Sequence, residues 1–233
     1  MTRFTVLATF LAATAIIAGG CSSDDEDAET SSEPLKASDG LSFFVTSQTS
    51  KTGNLGGITG ADGICTTLAT AAGAGDKVWK AYLSTTTEAA KDRIGKGPWF
   101  NAKGAMVAAD LTALHAIAGK ADLLIDEKGT PIDGQWNSSP TVQHDILTGS
   151  APDGTLQAPD AMGRSANCNN WTSAGTDAFA QVGHSDGMGP MMSMATTPVN
   201  YTSWNSTHAN QDCSDTAPRG GAGRFYCFAT GKK

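Results

Sequence analysis

Four histidines, at positions 115, 144, 184 and 208, come first, because a neutral imidazole is both a proton carrier near neutral pH and a common metal ligand. They lie far apart and show neither a His-Glu-x-x-His run nor any other paired spacing, so each reads as a surface or capping histidine. The segment HSDGMGPMMSM brings His184 near Met188, Met191, Met192 and Met194. Imidazole with soft thioethers suits Cu(I); the same methionines in a Gly/Pro loop equally make an adaptable contact surface. The segment CNNWTS sets Trp171 three residues after Cys168, beside Asn169 and Asn170, and Trp204 is followed by Asn205. An indole face stacks on a sugar ring, and amides donate to and accept from hydroxyls, so these five residues are the candidate ligand contacts. The structural reading of CNNWTS is a tryptophan packed on a disulfide, with the amides bonded to the loop backbone. Asp145, Asp153 and Asp160 are carboxylates whose spacing does not dictate convergence. A Gly-x-x-x-x-Gly-Lys-Ser/Thr phosphate loop is absent, and pairing of the later cysteines leaves no thiol nucleophile. The expectation is a non-enzymatic protein without a resident cofactor.

The elements that must position these groups follow from periodicity. Phe43 to Thr49 is rich in β-formers and reads as a strand, followed by a turn through Gly53, Gly56 and Gly57. Ala61, Ile64, Cys65, Leu68 and Ala72 recur at helical spacing with Thr59 as a cap, which puts Cys65 on a buried helix face. Val78 to Ser84 alternates as a strand. Thr85 and Glu88 have the capping-box spacing ahead of a short helix through Arg93. Asp110 to Ile117 is a second short helix, and Leu123 to Ile132 a hairpin turning at Lys128 and Gly129. Beyond Gly134 helical periods give way to Gly, Asn, Ser, Asp and Pro between short strands, closing with a strand over Arg224 to Thr230. This order is α+β.

The chain has 233 residues and a net charge of −7. That charge argues against a nucleic-acid partner, which requires a basic footprint. Seven acids against Lys36 lie between Ser22 and Asp39, so the body beyond Gly40 is nearly neutral. Arg3, an apolar run from Phe4 to Ala18, then Gly19, Gly20 and Cys21 make a secretory layout too short for a comfortable membrane span. The tetrapeptide AGGC resembles the lipobox of bacterial lipoproteins. The resemblance implies a signal peptide over 1–20, lipidation of Cys21 and anchorage to the membrane; Ser22 after it favours the outer membrane. Residues 21–40 are too polar to repay ordering entropy and read as a disordered tether, and 41–233 as the folded domain. Cys65, Cys168, Cys213 and Cys227 are even in number in an exported chain and contain no Cys-x-x-Cys, so two disulfides are expected; three pairings are open.

FFVTSQTSKTGNLGGITGADGICTTLA, KAYLS, ILTGSAPDGT, CNNWTS, DCS and RFYCFA, in this order between about Leu41 and Ala229, resemble the bacterial endostatin-like, C-type-lectin-like domain of the DUF1554 type. The resemblance implies a C-type-lectin-like fold: short helices early, an antiparallel sheet, and a long loop region stapled by a disulfide. It also implies the pairings Cys65 with Cys227 and Cys168 with Cys213. Calcium ligands in that family fall near QAPD and NQD, which nominates Asp160, Asn210 and Asp212 for Ca2+, although Ala158 stands where a ligand belongs and NQD lacks its leading tryptophan. The function implied is adhesion through the long loops to an extracellular protein or carbohydrate. A metal-handling lipoprotein and a structural envelope protein are the alternatives.

Overall fold

The computed structural model describes residues 1–2, 35 and 39–233. The expected signal segment 1–20, Cys21 and most of the expected tether fall outside the described residues. Leu35 is buried in the core, so packing begins before Leu41.

The elements in order are β1 (Phe43–Val45), α1 (Gly57–Ala71), β2 (Lys77–Ala81), α2 (Ala90–Arg93), β3 (Trp99–Phe100), β4 (Met106–Ala108), α3 (Leu111–Ala116), β5 (Asp145–Leu147), β6 (Gln181–His184), β7 (His208–Ala209) and β8 (Gly221–Lys232). Short 3-10 turns lie at Gln135–Asn137 and Pro190–Met192. The chain is therefore α+β with few helices, but its strands are not confined to the later part: β1 to β4 alternate with the helices before Leu111. The helix around Cys65 starts at Gly57, earlier than Thr59 suggests, because Gly56 caps it in the left-handed region at φ 77°. Asp110 caps α3 by accepting from the Ala113 N–H at 2.8 Å.

β8 organises the molecule. Its C-terminal half pairs antiparallel with β1 and β2, its N-terminal half pairs parallel with β5, and the sheet continues through β6 to β7. Alternate β8 residues serve opposite faces. Phe225, Cys227 and Ala229 join α1, Trp79, Leu147 and Trp171 in one core cluster, while Tyr226 and Phe228 join Phe43, Tyr82, Trp99, Ile146 and Trp204 in the other. A strand buried on both faces reads as the unbroken apolar run seen at RFYCFA. On α1, Asp62 ties this frame together: its carboxylate accepts from Arg93 at 2.8 and 2.9 Å, from the Ala81 N–H at 2.9 Å and from Lys80 at 2.9 Å.

Two disulfides join Cys65 to Cys227, clamping α1 onto β8, and Cys168 to Cys213 within the later loops. Cys168 to Trp171 form a left-handed turn with φ between 47° and 65°, a conformation costly for residues with a Cβ. It is held by the Cys168–Cys213 bond, by burial of Trp171, and by Asn167, whose side chain accepts from the Asn170 N–H.

Candidate metal centre

The register of the sheet assembles a cluster at the end of β5, β6 and β7. Asp145 lies opposite His184 in the β5–β6 pair, and Val182 lies opposite His208 in the β6–β7 pair. Directly opposed residues share a face, as do residues two apart on a strand, so Asp145, His184 and His208 leave the sheet on one side. His144 enters just before β5, where its carbonyl accepts from the Ser185 N–H at 2.9 Å. Gly183 is required for this arrangement: a Cβ there would sit 2.0 Å from the Trp204 carbonyl oxygen, because the 203–205 segment crosses directly over β6.

The donor atoms form a triangle. His184 Nε2 is 3.2 Å from Asp145 Oδ1, His208 Nε2 is 3.7 Å from Asp145 Oδ2, and the two Nε2 atoms share a hydrogen bond at 3.0 Å whose proton an ion at this place would displace. Metal–ligand bonds of about 2.0–2.2 Å at tetrahedral angles separate their donors by about 3.3 Å, so these edges fit three corners of a four-coordinate ion. Asp145 is 1% exposed, and neither of its oxygens receives a hydrogen bond. The imidazole nitrogens stand close enough to pair with it but direct no N–H at it. An anion buried without a donor is costly; a cation between it and the imidazoles removes the cost.

The orientation of the imidazoles is also determined. A carbonyl only accepts, so the 3.0 Å contact from His208 Nδ1 to the Ala209 carbonyl requires the proton on Nδ1 and leaves Nε2 as a lone pair. Burial pushes the His208 imidazole below its ordinary titration range, against the opposing pull of Asp145, and so favours the neutral, ligating form. His144 Nδ1 donates to Asp186 Oδ1 at 2.7 Å, which turns His144 Nε2 toward Asp145 Oδ1 at 3.3 Å. The His144 ring stacks on His184 with centroids 4.2 Å apart. Asp186 in turn accepts from the backbone N–H groups of Gln135 at 2.8 Å and Met188 at 3.0 Å. Burial pushes the Asp186 carboxyl up, but the hydrogen bond and charge of His144 and the backbone donors hold it below the usual carboxylate range. Gly134 permits the approach, since a Cβ there would meet Asp186 Oδ2 at 2.4 Å. Asp186 and His144 thus form a supporting layer of the kind that orients metal ligands.

A cavity of about 400 Å³ opens beside the triangle, lined by Gln135, His144, His184, Pro190, Tyr201, His208 and Arg219. Asp145 is not in its wall, so the carboxylate closes the rear of the site and the imidazoles face the opening.

Set against known proteins, the chain matches no family model and no curated protein.

The residues singled out from sequence are distributed differently. Histidines expected on the surface or at caps are instead buried at 144 and 184, because strand pairing, invisible to local spacing, draws them together. Trp171 is wholly buried, its Nε1 donating to the Ser84 carbonyl at 3.0 Å, and so has no face for a sugar ring. Trp204 and Asn205 are likewise buried, with Asn205 donating to Tyr82 Oη and to the Ala151 and Pro152 carbonyls. Asn169 and Asn170 are bonded to Asp177 and Thr86. Among the expected calcium ligands, Asp160 is occupied by Arg164, Asn210 by backbone, and Asp212 by Ser214. Among the described residues, the groups of three or more His, Cys, Asp or Glu donors able to share an ion are Asp145–His184–His208 and His144–His184–Asp186; Asp160 and Asp212 belong to neither. Asp145 and Asp186, the carboxylates of this cluster, carry the signal that spacing rules overlook: two histidines each followed within two residues by an aspartate, as His144-Asp145 and His184-Ser185-Asp186.

Gly183-His184-Ser185-Asp186-Gly187 also has the Gly-x-Ser-x-Gly spacing of a hydrolase nucleophile elbow. The structure gives Ser185 a different part. It lies just beyond β6 with no helix directly following, its φ is not positive, and its buried Oγ meets no histidine.

Proposed function

We propose that this chain is an exported, lipid-tethered binding domain of the C-type-lectin-like type whose ligand is a borderline divalent metal ion of the zinc class, held by Asp145, His184 and His208 and supported by His144 and Asp186. The observation that carries this reading is Asp145, a buried carboxylate with no hydrogen-bond donor, ringed by imidazole nitrogens at 3.2–3.7 Å. Nitrogen-rich donors select zinc, copper, nickel or iron over calcium. The cluster contains no thioether, which favours these ions over Cu(I). Binding is the role this reading assigns: Ser185 lacks the setting of a nucleophile, and the histidines and Asp145 serve to hold the ion. The lectin-like assignment rests on the sequence motifs and on the clamp of the first helix to the last strand. Anchorage at the outer membrane rests on the AGGC tetrapeptide.

Isothermal titration of the disulfide-intact domain with ZnCl2 tests it. One ion per chain, with binding abolished in His184→Ala and His208→Ala variants of unchanged circular dichroism, is the expected result. No binding of zinc, cobalt or copper, or equal binding by those variants, overturns it.

A second reading, adhesion, is favoured by one observation. The turns at 135–137 and 190–192 pack against each other and leave Trp136, Met191 and Met192 exposed, with Met194 exposed just beyond them. Such a patch suits a protein partner better than a glycan. Loss of matrix-protein capture by intact cells on Trp136→Ser with Met191→Ser supports it, and unchanged capture removes it.

A further inference from the structure

We propose that the cavity beside the metal centre takes a small organic acid, one carboxylate of which completes the coordination of the ion while Arg219 pairs with the ligand's negative charge. This deepens the metal reading above and rests on it.

Three protein donors leave a zinc-class ion with at least one open position. The placement of the donors decides where that position points. Asp145 is sealed behind the site, whereas His184 and His208 line the cavity, so the open side of the ion faces the cavity. Charge decides what enters. A divalent ion offsets the charges of Asp145 and Asp186, Arg219 adds a positive charge at the rim, and no acid lines the wall. A concave, low-dielectric space of one sign concentrates the opposite sign. The wall then distinguishes an organic acid from a bare inorganic anion. Tyr201 lies nearly parallel to His184, with centroids 5.9 Å apart, and with Pro190 supplies apolar surface for a carbon skeleton. The Gln135 amide offers both donor and acceptor to further polar groups. At about 400 Å³ the space falls in the range of small-molecule sites.

Arg219 is built into position. Its backbone is in the left-handed region at φ 70°, and its Nη1 donates to the Ala209 carbonyl at 3.0 Å, beside the His208 ligand. Non-glycine residues hold such a conformation when the surroundings impose it, which is common at binding sites. The same guanidinium retains further N–H groups that can pair with a carboxylate.

The test uses the Co(II)-loaded protein, whose visible d–d bands report coordination directly, titrated with acetate, lactate, succinate and glutarate, and with phosphate and sulfate as separate arms. At least one carboxylate is expected to shift the bands saturably, and Arg219→Gln, compared at saturating cobalt, to weaken that ligand by about tenfold or more; Arg219→Lys restores part of the loss. No spectral change with any carboxylate, equal affinity in Arg219→Gln, or tighter binding of phosphate or sulfate overturns the proposal while leaving the metal reading intact. Failure of cobalt to bind at all removes the metal reading itself, and this proposal with it.

Discussion

Asp145 faces His184 across the β5–β6 pair, Oδ1 3.2 Å from Nε2, without a hydrogen bond to either carboxylate oxygen. On the proposed metal reading, the stability of this corner of the sheet depends on a cation held between these side chains. In the protein without added metal, Asp145→Asn replaces a buried carboxylate that accepts no hydrogen bond by an amide of the same shape, and urea unfolding should show stability equal to or above wild type by about 1–3 kcal/mol. Zinc at about 100 times its dissociation constant should stabilise wild type by about 2.7 kcal/mol, a rise in Tm of roughly 5–11 °C, and Asp145→Asn by nothing measurable.

Ligand and supporting residues should separate by magnitude. His208→Ala removes a corner of the donor triangle and should abolish zinc binding. Asp186→Asn keeps the shape of the side chain but removes the charge that orients His144, and should weaken zinc by about 10–100-fold. Calorimetry on both variants checks the order; equal losses would contradict the two-layer arrangement.

The disulfides should contribute unequally. Cys65–Cys227 closes a loop of 162 residues and Cys168–Cys213 one of 45. Chain entropy assigns them about 5 and about 4 kcal/mol respectively as upper values. Paired Cys→Ala variants, compared by chemical unfolding, should both be destabilised, the Cys65/Cys227 pair more.

Acid sensitivity should come in part from His115. Its Nδ1 donates to the Leu111 carbonyl at 2.8 Å and its Nε2 accepts from Tyr82 Oη at 2.8 Å, so both nitrogens are committed in the neutral form. Burial lowers its pKa from 6.5, with the Leu111 bond and Asp153 opposing. The unfolded chain then binds the proton more readily than the fold, so this contribution is complete above pH 6.5 and is lost as pH falls through the lowered folded value. Urea midpoints between pH 7.5 and pH 5 should fall more steeply for wild type than for His115→Gln.

Trp171 should behave as a core residue. Trp171→Ala empties a fully buried indole site and orphans the Ser84 carbonyl, and should cost about 3–5 kcal/mol. A Trp171→Ala protein as stable as wild type would reopen the surface role.

Much of the frame is legible in the chain. The run RFYCFA announces a closing strand, whose burial on both faces the structure adds, and the spacing around Cys65 announces the inward face of α1, because both are local consequences of strand and helix periodicity. The short helix expected over Asp110 to Ile117 is present as α3, Leu111–Ala116, with Asp110 as its cap and not its first turn. The Trp171 segment is read correctly in its structural sense, as a tryptophan packed beside a disulfide, and incorrectly as a sugar platform: composition states that an indole is present, and burial states which face is free.

The Asp145–His184–His208 cluster belongs to the other category. Its residues come from segments some 24 to 64 positions apart, and nothing in the order of residues within each segment specifies the partner strand or the register. A shift of one residue in the β5–β6 or β6–β7 pairing would send Asp145 or His208 to the opposite face and dissolve the triangle. The amino-acid order determined the main strands, the helix around Cys65 and the cysteine count, each a short-range property. The pairing of β6 with β5 on one side and β7 on the other, a long-range choice made by the packing of two cores across β8, decided that scattered histidines become neighbours.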